Sequence, residues 1–201
     1  MNLPRAMVVL FGFGLAMSAR PSSAAGGDDA RRPATPAPAD LNEPAPTTPS
    51  LYDHPWVWRD DDGAALSLAR FRGSTVVITM GYASCQVRCP PTITKLQHLE
   101  RAFAKQGRPV SFILVTIDPA TDTPARLAAL RRDRNLTPGV WHLLSGPESQ
   151  TRELARLLDI AYVDAGGHFE HQVRVIVLDA RGRVARRFEG WHFDDASALS
   201  P

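Results

Sequence analysis

Residues 75–90 hold a strand, a pair of cysteines and the opening of a helix in immediate succession. Thr75 to Met80 is a compact, β-branched apolar run that reads as a buried strand. Pro90 and Pro91 suit the first turn of a helix, where a missing N–H has no internal partner to lose. Behind them Ile93, Leu96, Leu99 and Phe103 recur at helical spacing. Cys85 and Cys89 therefore sit in a strand-to-helix connection, the joint from which layered α/β folds are built. They are the only two cysteines among 201 residues, so a framework of disulfides is excluded and one bond at most can form. Bridging so short a loop would restrict the unfolded chain little; such a pair is more often a metal or redox site. Unpaired N–H groups at the helix start favour thiolates, and Arg88 adds positive charge between the sulfurs. Both effects are expected to lower the thiol pKa values.

The rest of the chain supplies the layers. Val110 to Ile117 reads as a buried strand, and Thr123 begins a helix with Leu127 and Leu130 on one side. Val140 to Leu144 reads as a short strand, and Pro147 to Leu158 as a helix. Val173 to Leu178, a turn at Gly182, and Val184 to Phe188 read as a β-hairpin. Strands alternating with helices and a closing hairpin predict a three-layer α/β domain over residues 51–195, followed by a tail at 196–201. Residues 1–25 read as a signal peptide or short anchor: Arg5 precedes the apolar run from Ala6 to Ala16, and small residues follow. Residues 26–50 are rich in proline and alanine and read as a disordered tether. Export, to the periplasm or the outer face of the cytoplasmic membrane, is expected, with membrane association through the N-terminal segment. A formal charge of +2 and the run Arg131, Arg132, Arg134, interrupted by Asp133, describe a solvated face. No aromatic residues interleave with basic ones, so a nucleic-acid partner is excluded.

Four motifs, in order, resemble the Sco/SenC family of copper-handling proteins with a thioredoxin-like fold. Gly81-Tyr82 through Cys89-Pro90 resembles that family's metal-binding loop. Val115-Thr116-Ile117-Asp118-Pro119-Ala120-Thr121-Asp122-Thr123-Pro124 resembles its second signature, and Trp141 to Gly146 its third. His171, followed by Val173 to Asp179 and Gly182, resembles its histidine-bearing strand. The resemblance implies a thioredoxin-like fold with a central mixed sheet and copper bound by Cys85, Cys89 and His171. It further implies delivery to the binuclear copper centre of cytochrome c oxidase, so the partners would be that copper-bearing subunit and another periplasmic copper chaperone. The chemistry agrees: two thiolates and one imidazole form a soft, low-coordination set suited to Cu(I), and such sets also hold Cu(II). The other role for the same thiols is that of a catalytic Cys85–Cys89 pair in a thiol–disulfide reductase. Disulfide enzymes of this fold commonly place a cis-proline before the strand facing their cysteines. Here no proline occurs between Pro147 and Pro201, and Glu170-His171-Gln172 occupies that junction.

Further residues carry weaker expectations. His171 shares side-chain parity with Val173, Val175 and Val177, which places it at the end of a buried row on one face of the sheet. His168 would reach the site only if the loop after Gly166-Gly167 folds inward. Asp118 and Asp122 could orient the site, though Asp122 is also a natural cap for the helix after it. Tyr82 reads as packing against the cysteine loop. The chain runs only ten residues beyond Trp191, which predicts a C-terminal helix that is shortened or missing.

Overall fold

A computed structural model describes residues 49–166 and 168–199; the expected signal peptide and nearly all of the expected tether lie outside them. Leu51–Asp53 forms a 3-10 turn capped by the Ser50 hydroxyl, which accepts from the Tyr52 N–H. A small hairpin follows, β1 (Trp58–Arg59) with β2 (Ala65–Leu66), then a second 3-10 turn at Leu68–Phe71. The main alternation is β3 (Thr75–Gly81), α1 (Cys89–Lys105), β4 (Val110–Thr116), α2 (Pro124–Asp133), β5 (Trp141–Leu144) and α3 (Glu148–Leu157). A second small hairpin pairs β6 (Tyr162–Asp164) with β7 (Phe169–His171). The chain closes with β8 (Arg174–Leu178), β9 (Val184–Glu189) and α4 (Asp195–Leu199).

The central sheet has the order β5-β4-β3-β8-β9. β3, β4 and β5 are parallel, while β8 and β9 join antiparallel, so the sheet is mixed. The two-residue side-chain period of its strands divides the core in two. On one face Val77, Phe112, Leu114, Val175 and Val177 meet Leu96, Leu99 and Phe103 of α1, Leu127 of α2 and Ala198 of α4. On the other, Val76, Ile78, Met80, Val115 and Ile176 meet Leu154 of α3, Leu158 at its C-cap and the N-terminal Trp56, Trp58 and Leu68. Each of these larger apolar side chains contributes about 1.5–3 kcal/mol when fully buried. The expected three layers and central mixed sheet are present.

Among the described residues α4 spans Asp195–Leu199, so four residues of the expected tail, 196–199, belong to it. It is held by the Lys95–Asp195 ion pair at 2.5 Å and by Ala198 in the core. One difference concerns His171. The β8 pairing begins only at Arg174, because Gln172 turns its N–H to the Ala161 carbonyl at 2.9 Å. His171 thus belongs to the β6–β7 hairpin and does not continue the row of Val175 and Val177.

Candidate metal centre

β3 delivers the chain to the site and α1 carries it away. The seven residues from Tyr82 to Arg88 make the connection, pinned at its start by the Cys85 N–H donating to the Tyr82 carbonyl at 3.2 Å. α1 begins at Cys89, with no side-chain cap at Arg88. Pro90 and Pro91 bring no N–H, and the Thr92 N–H bonds the Arg88 carbonyl at 3.3 Å. The orphan donor left at this helix start is the Cys89 N–H, which points at Cys85 Sγ at 3.4 Å. Gly81 lets the strand pass close behind: a Cβ there would stand 2.8 Å from Cys89 Sγ.

The two thiols behave oppositely. Hydrogen bonding from the Cys89 thiol, helped by the Cys89 N–H and opposed by burial, lowers Cys85 to about 4. The same shared proton, together with burial, pushes Cys89 up. Cys85 is thus the thiolate of the pair and Cys89 keeps the proton, which corrects the expectation that both thiols are acidified. The Arg88 side chain is exposed, and that residue acts on Cys85 through its backbone N–H.

His171 approaches from β7. It is 7% exposed, and its Nδ1 lies 3.1 Å from the Gln172 carbonyl. A carbonyl only accepts, so Nδ1 carries the proton and the lone pair is on Nε2. That Nε2 is buried without a hydrogen-bond partner among the described residues. Cys85, Cys89 and His171 each offer a donor atom, and these atoms lie within 4.8 Å of one another. A buried, unpartnered lone pair facing a thiolate and a thiol is costly unless something fills the gap. A soft cation fits that donor set.

The loop is steadied from beneath. Asp122, fully buried, accepts from the Ala83 N–H at 2.9 Å and from the Thr116 hydroxyl at 2.5 Å. Burial raises its pKa. Asp122 does not cap α2; Thr123 does, its hydroxyl accepting from the Arg126 N–H. Asp118 closes its own turn by accepting from the Thr121 N–H at 3.2 Å. Tyr82, read from sequence as simple packing, stands edge-on to His171 with ring centroids 5.9 Å apart, and its hydroxyl meets His168 Nδ1 at 3.2 Å. With Cys85, His168 and His171 it lines an open cavity of about 790 Å³. Tyr82 and Thr116 stand in sequence motifs, but the tie from Tyr82 to His168, 86 residues along the chain, has no local signal. The remaining histidines stand apart: His54 stacks on Trp56, His142 meets Phe71 edge-on, and His98 and His192 are exposed.

Fold and site together define a thioredoxin-like domain that carries a soft Cys-Cys-His cluster at its strand–helix joint. The SCO1/SenC family profile matches residues 44–199, and the chain belongs to that family. A SCO2-like protein of Rickettsia typhi is 24% identical over 136 residues, covering 64% of this chain and 66% of its own length. The chain thus spans just under two thirds of that relative. Among solved structures, a SCO1/SenC family lipoprotein of Bacillus anthracis superposes with a TM-score of 0.70 at 18% identity, over 77% of this chain and 94% of that one. Yeast Sco1, solved with copper bound, gives 0.62 at 22% identity, over 75% and 85%. At these identities the structural likeness establishes the fold.

Proposed function

We propose that this chain is a copper metallochaperone, holding one Cu(I) between Cys85, Cys89 and His171 and delivering it to the binuclear copper centre of cytochrome c oxidase. The buried, partnerless His171 Nε2 beside the two sulfurs carries the reading. Family membership and the copper held by yeast Sco1 support it. Cys85 meets the cargo already as a thiolate, Cys89 gives up its proton, and His171 offers its lone pair, so loading at neutral pH releases one proton per copper. The Gln172 carbonyl keeps the imidazole in the ligating tautomer. Cys85 and His171 line an open cavity, which leaves room for an incoming donor from the recipient, as ligand exchange requires. The site of action is the periplasm or the outer face of the cytoplasmic membrane; among the described residues no helix is long and apolar enough to cross a membrane. Reduced protein loaded with Cu(I) should transfer it to a purified apo copper-bearing oxidase fragment, and His171→Ala should abolish stable loading. Retention of copper in the presence of the apo fragment would remove the delivery role.

The acidic Cys85 thiol supports a second reading, a thiol–disulfide reductase. Cys85 lines the open cavity and is a thiolate at neutral pH. It would attack one sulfur of a target disulfide and expel the other as thiolate. Cys89 would then resolve the mixed disulfide, leaving the target reduced and Cys85–Cys89 oxidised. Reductase activity undiminished in His171→Ala, with copper affinity also unchanged, would favour this reading over the first.

A further inference from the structure

One imidazole at the cavity is not used by the copper reading, on which this inference rests. His168 closes the turn between β6 and β7: its carbonyl accepts from the Ala165 N–H at 2.8 Å, and Gly166 takes φ +81°. Its side chain is exposed yet tethered, with Nδ1 3.2 Å from the Tyr82 hydroxyl. That hydroxyl also donates to the Phe169 carbonyl at 3.5 Å. In the tautomer in which the Tyr82 hydroxyl accepts from the His168 Nδ1–H while donating to Phe169, the lone pair of His168 is on Nε2. An imidazole whose N–H is anchored while its other nitrogen is open is the arrangement by which an outer partner orients a metal-ligating histidine. Cys85 stands three residues on from Tyr82, its N–H bonded to the Tyr82 carbonyl at 3.2 Å. Tyr82 therefore stands between the exposed imidazole and the Cys85 loop, and Tyr82, Cys85 and His168 line the same cavity as buried His171.

We infer that His168 Nε2 is an outer copper ligand at the cavity mouth, which holds Cu(I) transiently with Cys85 as it passes to and from the Cys85–Cys89–His171 set. The passage involves no change of oxidation state: a bond from copper to His168 forms as the bonds to His171 and Cys89 break, Cys89 regains its proton from water, and Cys85 stays bound throughout. Such a ligand changes how fast copper moves and leaves the final affinity unaltered.

The test compares wild type with His168→Ala, Tyr82→Phe and Glu170→Ala, an exposed neighbour on β7. Each is loaded with Cu(I), and removal by a chromophoric Cu(I) chelator is followed by stopped flow, with affinity measured at equilibrium. His168→Ala should slow removal about tenfold, the scale of a lost outer contact, with affinity unchanged. Tyr82→Phe should slow it less, and Glu170→Ala not at all. Imidazole nitrogen NMR gives a readout that a structural role would not move: the His168 Nε2 resonance should broaden with sub-stoichiometric Cu(I). An unchanged removal rate in His168→Ala, a parallel loss of affinity, or a sharp, unshifted His168 resonance would overturn the inference. Failure of the underlying copper reading would appear differently, as absence of one-to-one Cu(I) binding by wild type, and would overturn both.

Discussion

Replacing Gly81 by alanine puts a methyl group 2.8 Å from Cys89 Sγ. Nonbonded heavy atoms settle at about 3.5–4.0 Å, so a gap of roughly 1 Å must open. β3 cannot easily supply it, since Gly81 pairs with Thr116 and its carbonyl accepts from the Ile117 N–H at 2.8 Å. The sulfur must move instead, on a residue locked into the first turn of α1 by Pro90 and Pro91. Overpacking of this kind costs about 1–3 kcal/mol. A metal site tolerates ligand displacements of only about 0.2 Å, so Gly81→Ala should weaken Cu(I) binding by at least about tenfold as well as lower Tm. Gly146→Ala is the matched control, because its methyl would meet the Trp58 ring at 2.6 Å, away from the donors. It should lower Tm comparably and leave copper affinity alone. Thermal unfolding of the reduced apo forms and competition for Cu(I) against a chromophoric chelator measure both effects. Equal copper affinity in Gly81→Ala and wild type, or equal losses in both variants, would refute the reasoning.

Asp122→Ala strands the Ala83 N–H and the Thr116 hydroxyl and should destabilise the fold by about 1–3 kcal/mol; Asp122→Asn, which keeps an oxygen acceptor, should cost less in the same thermal assay. Ultraviolet thiolate absorbance should persist as pH falls until one thiolate per chain is lost near pH 4, because the Cys85 pKa is lowered from 9.0. A midpoint near 9 would contradict the shared-proton pair. Above that pH, copper uptake should release one proton; below it, with Cys85 also protonated, it should release two and binding should weaken more steeply, as a pH-stat titration can follow.

The parts of the fold legible in the sequence are those with sustained periodicity. β3, α1 and β4 carry long apolar patterns, and the structure places them within a residue or two of their expected limits. β1 and β2 have two residues each, and β6 and β7 three, too few for any alternation to register. The parity argument for His171 failed for a related reason: it assumed one unbroken strand from 171 to 178, while Gln172 leaves the ladder to bond Ala161. The α2 cap was readable after all. Pro124 fills the first helical position, which makes Thr123, not Asp122, the capping residue. What no local pattern could give is the support beneath the cysteine loop, where Asp122 reaches back 39 residues to Ala83.

X-ray absorption on the reduced protein with one equivalent of Cu(I) would show directly what surrounds the metal. Two sulfur scatterers and one imidazole nitrogen are predicted, with the nitrogen contribution gone in His171→Ala. A sulfur-only shell in wild type, or a spectrum that His171→Ala leaves unaltered, would contradict it.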